Sequence, residues 1–197
     1  MGKKTAAQSA ETKKDIVSSA RRLFAEKGFA GATTREIAHA AGLTEGAFFH
    51  HFKDKRALLT TVVEQVQSEF AAQVFQSGAS GEDPFQRFML GARASLELSQ
   101  QQEYLRLVLI EAPTVLGGTT WRQIDSASSL AVIEPALIAI AGNADVPEAE
   151  RKSMALLVLG LLNETAFALA RHDSGVKAED VLSLLSEILH QWKKRLS

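Results

Sequence analysis

No cysteine occurs in the 197-residue chain, which excludes structural disulfides, thiolate chemistry and cysteine-ligated metal. Long apolar runs are missing too. The longest, Met154 to Leu162, falls far short of the roughly 18 to 20 residues needed to span a bilayer. The opening stretch MGKKTAAQSAETKK carries no apolar segment of the secretory kind, so the expectation is a soluble, cytoplasmic protein with no membrane partner. There is no H-E-x-x-H, no phosphate-binding loop, no G-x-S-x-G and no dinucleotide fingerprint, so neither an enzyme nor a bound cofactor is expected. The only adjacent histidines are His50 and His51. They would point about 100° apart on a helix, with no third ligand spaced for them, so no metal site is expected.

The charge that is present is unevenly placed. Residues 1–60 hold 11 basic against 6 acidic side chains, and the remainder holds 11 against 17, so a near-neutral total conceals a basic head and an acidic body. A basic patch confined to one end is the electrostatic footprint of phosphate binding. Lys3 and Lys4 fall in a small, polar, basic tail, residues 1–12, which is expected to be disordered.

Within the basic head, Thr33 to Leu59 carries the most informative spacings. Thr33 followed by Glu36 has the form of a capping box. Ile37, Ala38 and Ala41 share one face of the helix that follows, and Gly42 suits the positive φ that ends it in a sharp turn. Thr44 is a second N-cap. It opens a helix whose inward positions are Ala47, Phe48 and Phe52 and whose outward ones are Glu45, Gly46, Phe49 and His50. Two short helices joined by a glycine turn describe a helix-turn-helix, whose second helix lays its first residues against base edges in the major groove. A tight helical hairpin without DNA fits the same spacing. Asp54 caps a further helix starting Lys55-Arg56.

The rest reads as helix throughout, making the chain all-α. Asp15 to Lys27 carries an apolar stripe closed by Gly28 and completes a three-helix unit over residues 13–58. From Lys55, Leu58, Leu59, Val62, Val63, Val66 and Phe70 mark a linker helix. It leads into a larger helical region, residues 59–197 in this division. Ser77 to Asp83 breaks the chain and Pro84 restarts it. A helix around Tyr104 to Ile110 should end before Pro113, and one from Trp121 to Ala141 should break or kink at Pro135 and close at Gly142-Asn143. Pro147 opens a helix to about Ala170. In the last helix Val181, Leu184, Leu185, Ile188, Leu189 and Trp192 recur at helical steps.

The order F-A-E-K-G-F-A-G-A-T-T-R-E-I-A-x-A-A-G-L-T-E-G-A-F-F-H-H-F-K-D-K-R-A-L-L in Phe24 to Leu59 resembles the TetR family of bacterial transcriptional regulators. The remainder resembles that family in architecture alone. The resemblance implies a homodimer whose two heads sit on a palindromic operator in double-stranded DNA, repress transcription, and let go when a small molecule enters the C-terminal core. The DNA-facing set is then Thr33, Thr34, Arg35, Thr44, Glu45, Gly46, Phe49, His50 and Lys55. Thr33 would offer a hydroxyl to phosphate, Arg35 would fork onto guanine, Glu45 would accept from a cytosine amine, and His50 and Lys55 would hold phosphates. Phe49 stands where the family commonly has tyrosine, and so loses a hydroxyl contact to phosphate.

An internal effector site should be apolar with a few convergent polar groups. Phe88, Met89, Tyr104, Val108, Trp121, Asp125, Asn163 and Phe167 are the candidates, although core packing is the commoner role for each aromatic. Asn163-Glu164-Thr165 interrupts an apolar helix and needs a partner in another helix, another subunit or a ligand. Gly160, Val181, Leu184, Leu185, Ile188 and Trp192 on the last two helices would form a dimer seam as half of a four-helix bundle. Two other readings remain open. One is an all-α small-molecule binding protein or enzyme with a vestigial DNA-binding head, and the other is a basic protein that coats DNA without sequence preference.

Overall fold

The computed structural model describes residues 6–142, 144–172 and 175–196. Lys3, Lys4 and Asn143 lie outside the described residues. Every element among the described residues is helical: α1 (Ala6–Gly31), α2 (Thr34–Ala40), α3 (Glu45–Phe49), α4 (Lys55–Gly78), α5 (Pro84–Ser99), α6 (Gln102–Tyr104) passing into a π-helix (Leu105–Glu111), α7 (Ala112–Leu116), α8 (Gly118–Ala141), α9 (Glu148–Ala170) and α10 (Ala178–Leu196). Helix α1 begins at Ala6, inside the segment expected to be disordered.

Two compact units result. One is Met1–Val66 with Arg106–Trp121, and the other is Gln67–Leu105 with Arg122–Ser197. The head therefore extends past the expected border at residue 58, because Leu58, Leu59, Val62 and Val63 are fully buried and make the first half of α4 part of its core. It also recruits residues 106–121. Arg106 donates to the carbonyls of Ala25 and Glu26, each at 3.2 Å, taking up acceptors that α1 leaves open where it kinks at Gly28. The Glu111 carboxylate accepts the Phe29 amide at 3.0 Å just beyond the kink, and Arg56 donates to the Leu116 carbonyl at 2.8 Å. Gly28 has φ 76° and ψ 168°, a conformation essentially reserved for glycine.

Two expected breaks do not occur. The chain winds from the π-helix straight into α7, with Pro113 in the first turn of α7 where the winding changes. Pro135 sits inside an unbroken α8. It lies on the exposed face with Ala131, so water can take the carbonyl that the ring leaves unbonded.

In the second unit α5, α9 and α10 pack on one another. Their shared core includes Phe88, Leu96, Leu137, Ile140, Val158, Leu185, Leu189 and Trp192. Each fully buried leucine contributes about 1.5 to 3 kcal/mol relative to exposure. Glu150 fastens the end of α10 by accepting from Trp192 Nε1 at 2.9 Å and pairing with Arg195, while Arg93 and Glu179 tie α5 to its start. By length and hydropathy alone α8 and α9 could cross a bilayer. Yet Ile133, Leu137, Ile140, Ala155, Val158 and Leu159 point into this core.

Candidate nucleic-acid interface and a buried polar cluster

The helix-turn-helix is set by local chemistry. At the N-terminus of α2 the Glu36 amide donates to Thr33 Oγ1 at 3.1 Å, and Glu36 Oε2 accepts the Thr33 amide at 2.9 Å, forming the reciprocal cap that the sequence predicts. Lys27 reaches across from α1 to Glu36 Oε1 at 2.9 Å. Those bonds, the Thr33 amide first and Lys27 next, lower the Glu36 pKa to about 2. Gly42 adopts φ 70°, and the Leu43 amide bonds to the Ala38 carbonyl at 2.9 Å, closing α2 and turning the chain. Thr44 then caps α3 by accepting the Ala47 amide at 3.3 Å.

Phe48 and Phe52 are buried beneath α3, with ring centroids 6.0 Å apart. Their burial turns the opposite face outward. Glu45, Gly46, Phe49 and His50 are all exposed along it, with Arg35 and Thr44 exposed beside them, whereas Thr34 is half-buried. Phe49 is 52% exposed although its neighbours are core, and its ring is held edge-on to Phe48 at 5.2 Å. Thr34 Oγ1 donates to Glu45 Oε1 at 2.7 Å, so the carboxylate at the head of α3 is steadied from α2 across the turn.

Two sequence-based roles change. Lys55 does not project toward solvent. Its Nζ donates to the carbonyls of Phe29 at 2.7 Å and Ala32 at 2.9 Å and sits 4.3 Å from the centroid of the Phe29 ring. A cation so engaged closes the end of α1 rather than reaching for phosphate. The Thr33 hydroxyl is also occupied, since besides accepting it donates to Glu36 Oε2 at 2.9 Å.

The candidate effector residues divide between places. Phe88 is in the core of the second unit with Met89 packed against it, and Val108 and Trp121 are buried residues of the segment that joins the first unit. Phe167 is half-buried. Tyr104, Asp125 and Asn163 do converge, through a residue that the sequence reading passed over. Gln67 is 1% exposed, accepts from the Tyr104 hydroxyl at 3.0 Å, and donates to Asp125 Oδ1 at 3.0 Å. Asn163 Nδ2 donates to Asp125 Oδ2 at 2.6 Å, and Ser129 Oγ lies 3.4 Å from Oδ1. Burial pushes the Asp125 carboxyl up, against the pull of these donors, and burial followed by the Asp125 charge pushes the Tyr104 phenol up. Gln67 follows Val63 by one helical turn on a buried face, and a polar residue at that step is the signal that could have found it.

The proposed dimer residues also separate. Leu185 and Trp192 are buried core, Val181 and Ile188 are half-buried, and only Gly160 and Leu184 stand exposed, Leu184 at 56%. The outer face of α9 carries Leu156 and Leu157, 58% and 47% exposed, next to Gly160. On α8 the exposed residues Ala127, Ala131, Pro135, Ile138 and Ala139 form an apolar stripe at helical steps.

Known proteins share both halves. Residues 16–62 match the model described as bacterial regulatory proteins, tetR family, and residues 85–191 match that of the Tetracyclin repressor-like, C-terminal domain. Over 96 residues the chain is 36% identical to the HTH-type transcriptional repressor AcnR of Corynebacterium efficiens. That match covers 46% of the chain and 50% of the relative, so the chain spans about half the length of this curated relative. A TetR-family transcriptional regulator from Pectobacterium atrosepticum, 30% identical, superposes with a TM-score of 0.73 over 98% of this chain and 97% of its own. AibR, solved in complex with isovaleryl coenzyme A and operator DNA, shares the fold at 21% identity, with a TM-score of 0.54 over 90% of this chain and 97% of its own.

Proposed function

Because the chain belongs to the TetR family of bacterial regulatory proteins, we propose that it is a dimeric repressor which binds a palindromic operator and is released by a small molecule held in its C-terminal unit. The observation that carries the reading is the outward face of α3: Glu45, Gly46, Phe49 and His50 are exposed on a short helix pinned from below by Phe48 and from α2 by Thr34. In the DNA complex Arg35 and Glu45 meet base edges, Phe49 lies against a thymine methyl or a sugar, and Thr44 and His50 position the phosphates.

Dimerisation follows from two needs. A five-residue recognition helix contacts too few base pairs to specify a site alone. Two half-sites one helical turn apart, about 34 to 36 Å, require two heads. The apolar outer faces of α8 and α9, with Leu184 on α10, are the surface proposed for the second copy. This moves the seam from the internal positions Leu185 and Trp192 to Leu156, Leu157, Gly160 and Leu184.

Selection of bound duplexes from a random pool tests the proposal directly. The expected result is an inverted repeat with half-site centres about 10 base pairs apart. Enrichment of no sequence would support the non-specific DNA-coating alternative, and no binding at all would support the vestigial head.

A further inference from the structure

We propose that Thr34 is a positioning residue for base recognition rather than a DNA ligand: by holding the Glu45 carboxylate across the turn, it sets the preference of α3 for cytosine at one position of each half-site. The proposal rests on the operator-binding reading above. It concerns one hydrogen bond within the first unit.

Thr34 Oγ1 donates to Glu45 Oε1 at 2.7 Å, joining the first residue of α2 to the first residue of α3. An ionised carboxylate only accepts, so the single hydroxyl hydrogen of Thr34 lies in this bond. The hydroxyl keeps only its lone pairs, for which a phosphate oxygen, itself an acceptor, has no use. Thr34 therefore cannot donate its hydroxyl to the DNA backbone without releasing Glu45. The bond engages Oε1 and leaves Oε2 to accept from outside, on a side chain that is exposed while its anchor is half-buried. A glutamate fixed before binding gives up less rotamer freedom when it meets a base than one that is loose.

Polarity decides which base it meets. In the major groove guanine and thymine present acceptors, which repel a carboxylate, and only cytosine N4 and adenine N6 present amino hydrogens. Adenine N6 is flanked by its own N7 and by O4 of the paired thymine, both acceptors, whereas cytosine N4 stands at the edge of its pair with an acceptor on one side only. Gly46 clears the approach. A Cβ there would meet nothing within 4 Å, so the fold does not require glycine at this exposed helical position, and its missing side chain leaves room for a base edge beside Glu45.

The test uses the full chain and the duplex selected as above, remade with each of the four base pairs at the half-site position whose preference changes in Glu45→Gln. Affinities are read by anisotropy over a range of salt, and melting curves confirm that each variant is folded. The parent is expected to favour cytosine there at least about tenfold over guanine and thymine. Glu45→Gln should move the preference to a base that offers an acceptor, because Thr34 still donates to the amide oxygen and so turns the Nε2 hydrogens outward. Thr34→Val keeps the shape of the side chain without its hydroxyl and should reduce the cytosine preference at least about threefold, with Thr34→Ala repeating the loss and Thr34→Ser restoring the preference. In a Glu45→Ala chain, Thr34→Val should change no base preference. A cytosine preference unchanged in folded Thr34→Val or Thr34→Ala overturns the proposal. Equal weakening on all four duplexes, with a salt slope lower by about one, also overturns it and returns Thr34 to phosphate. So does a selected site in which no position responds to Glu45→Gln, or in which the responding position is not cytosine. Each of these results leaves sequence-specific operator binding standing, whereas enrichment of no sequence by the parent overturns that reading and this proposal together.

Discussion

Replacing Gly28 with alanine isolates the joint between α1 and the segment that follows Tyr104. At φ 76° and ψ 168° an L-residue pays backbone strain of about 1 to 3 kcal/mol. The added methyl would also lie 2.6 Å from Glu111 Oε1 and 2.9 Å from Arg106 Nη2, so the glutamate must withdraw from the Phe29 amide it now accepts. Leaving that part-buried donor short of a partner costs about 1 to 3 kcal/mol more. A total near 3 kcal/mol, at roughly 2 to 4 °C per kcal/mol for a chain of this size, lowers the melting temperature by roughly 6 to 12 °C. Urea unfolding monitored by circular dichroism reads the same loss as a shifted midpoint. Glu111→Ala removes the atom that the methyl meets, so the two substitutions should combine to less than their sum by about 1 kcal/mol. A Gly28→Ala chain within about 0.5 kcal/mol of the parent, or strict additivity with Glu111→Ala, would refute the reasoning.

Arg35→Ala is expected to cost about 1 to 3 kcal/mol on the operator and to relax one base position, and equal losses on every duplex would remove its base-reading role. Lys55→Ala should lower stability while leaving the salt slope of DNA binding unchanged, because its ammonium is spent on the Phe29 and Ala32 carbonyls; a slope lower by about one would return it to phosphate. Leu184→Glu together with Leu156→Glu should yield folded monomers that bind the operator poorly, as checked by light scattering and circular dichroism. Glu36 has a folded pKa of about 2, below its ordinary 4.5, so the support its carboxylate gives the N-terminus of α2 is complete above 4.5 and disappears as pH falls toward 2. The Thr33 amide resonance should follow that titration and lose it in Glu36→Ala.

Local structure was legible wherever one side chain satisfies a neighbouring backbone group. Thr33, Glu36, Gly42, Thr44 and Asp54 announce their caps and turn within three or four residues, and the structure contains each of them. What escaped were relations across long stretches of chain. Lys55 reads as a cation free to meet phosphate until α1 brings two carbonyls to it. Leu184 and Leu185 are adjacent in an apolar pattern, and only the packing of α5 and α9 decides that Leu185 is core and Leu184 surface. Asp125 and Asn163 stood out as polar residues in apolar helices. They bond to each other directly, but Tyr104 joins them only through Gln67, 58 positions from Asp125, which looked like an ordinary polar step in a linker helix.

The π-helix from Leu105 to Glu111 bears on how this chain can gain or lose residues over generations. Winding with bonds to the fifth residue back accommodates surplus chain that an α-helix of equal length would not. Deleting one residue there would let the segment relax to ordinary α winding with little turn between the chain before it and the chain after it, because the wider winding has already absorbed the surplus residue. Arg106 and Glu111 are five residues apart, close to one π turn, so both reach α1 on either side of Gly28. At unchanged length α winding would set them about 140° apart. A single-residue deletion between them restores an α-helical spacing and should therefore be tolerated better than the same deletion in a regular helix.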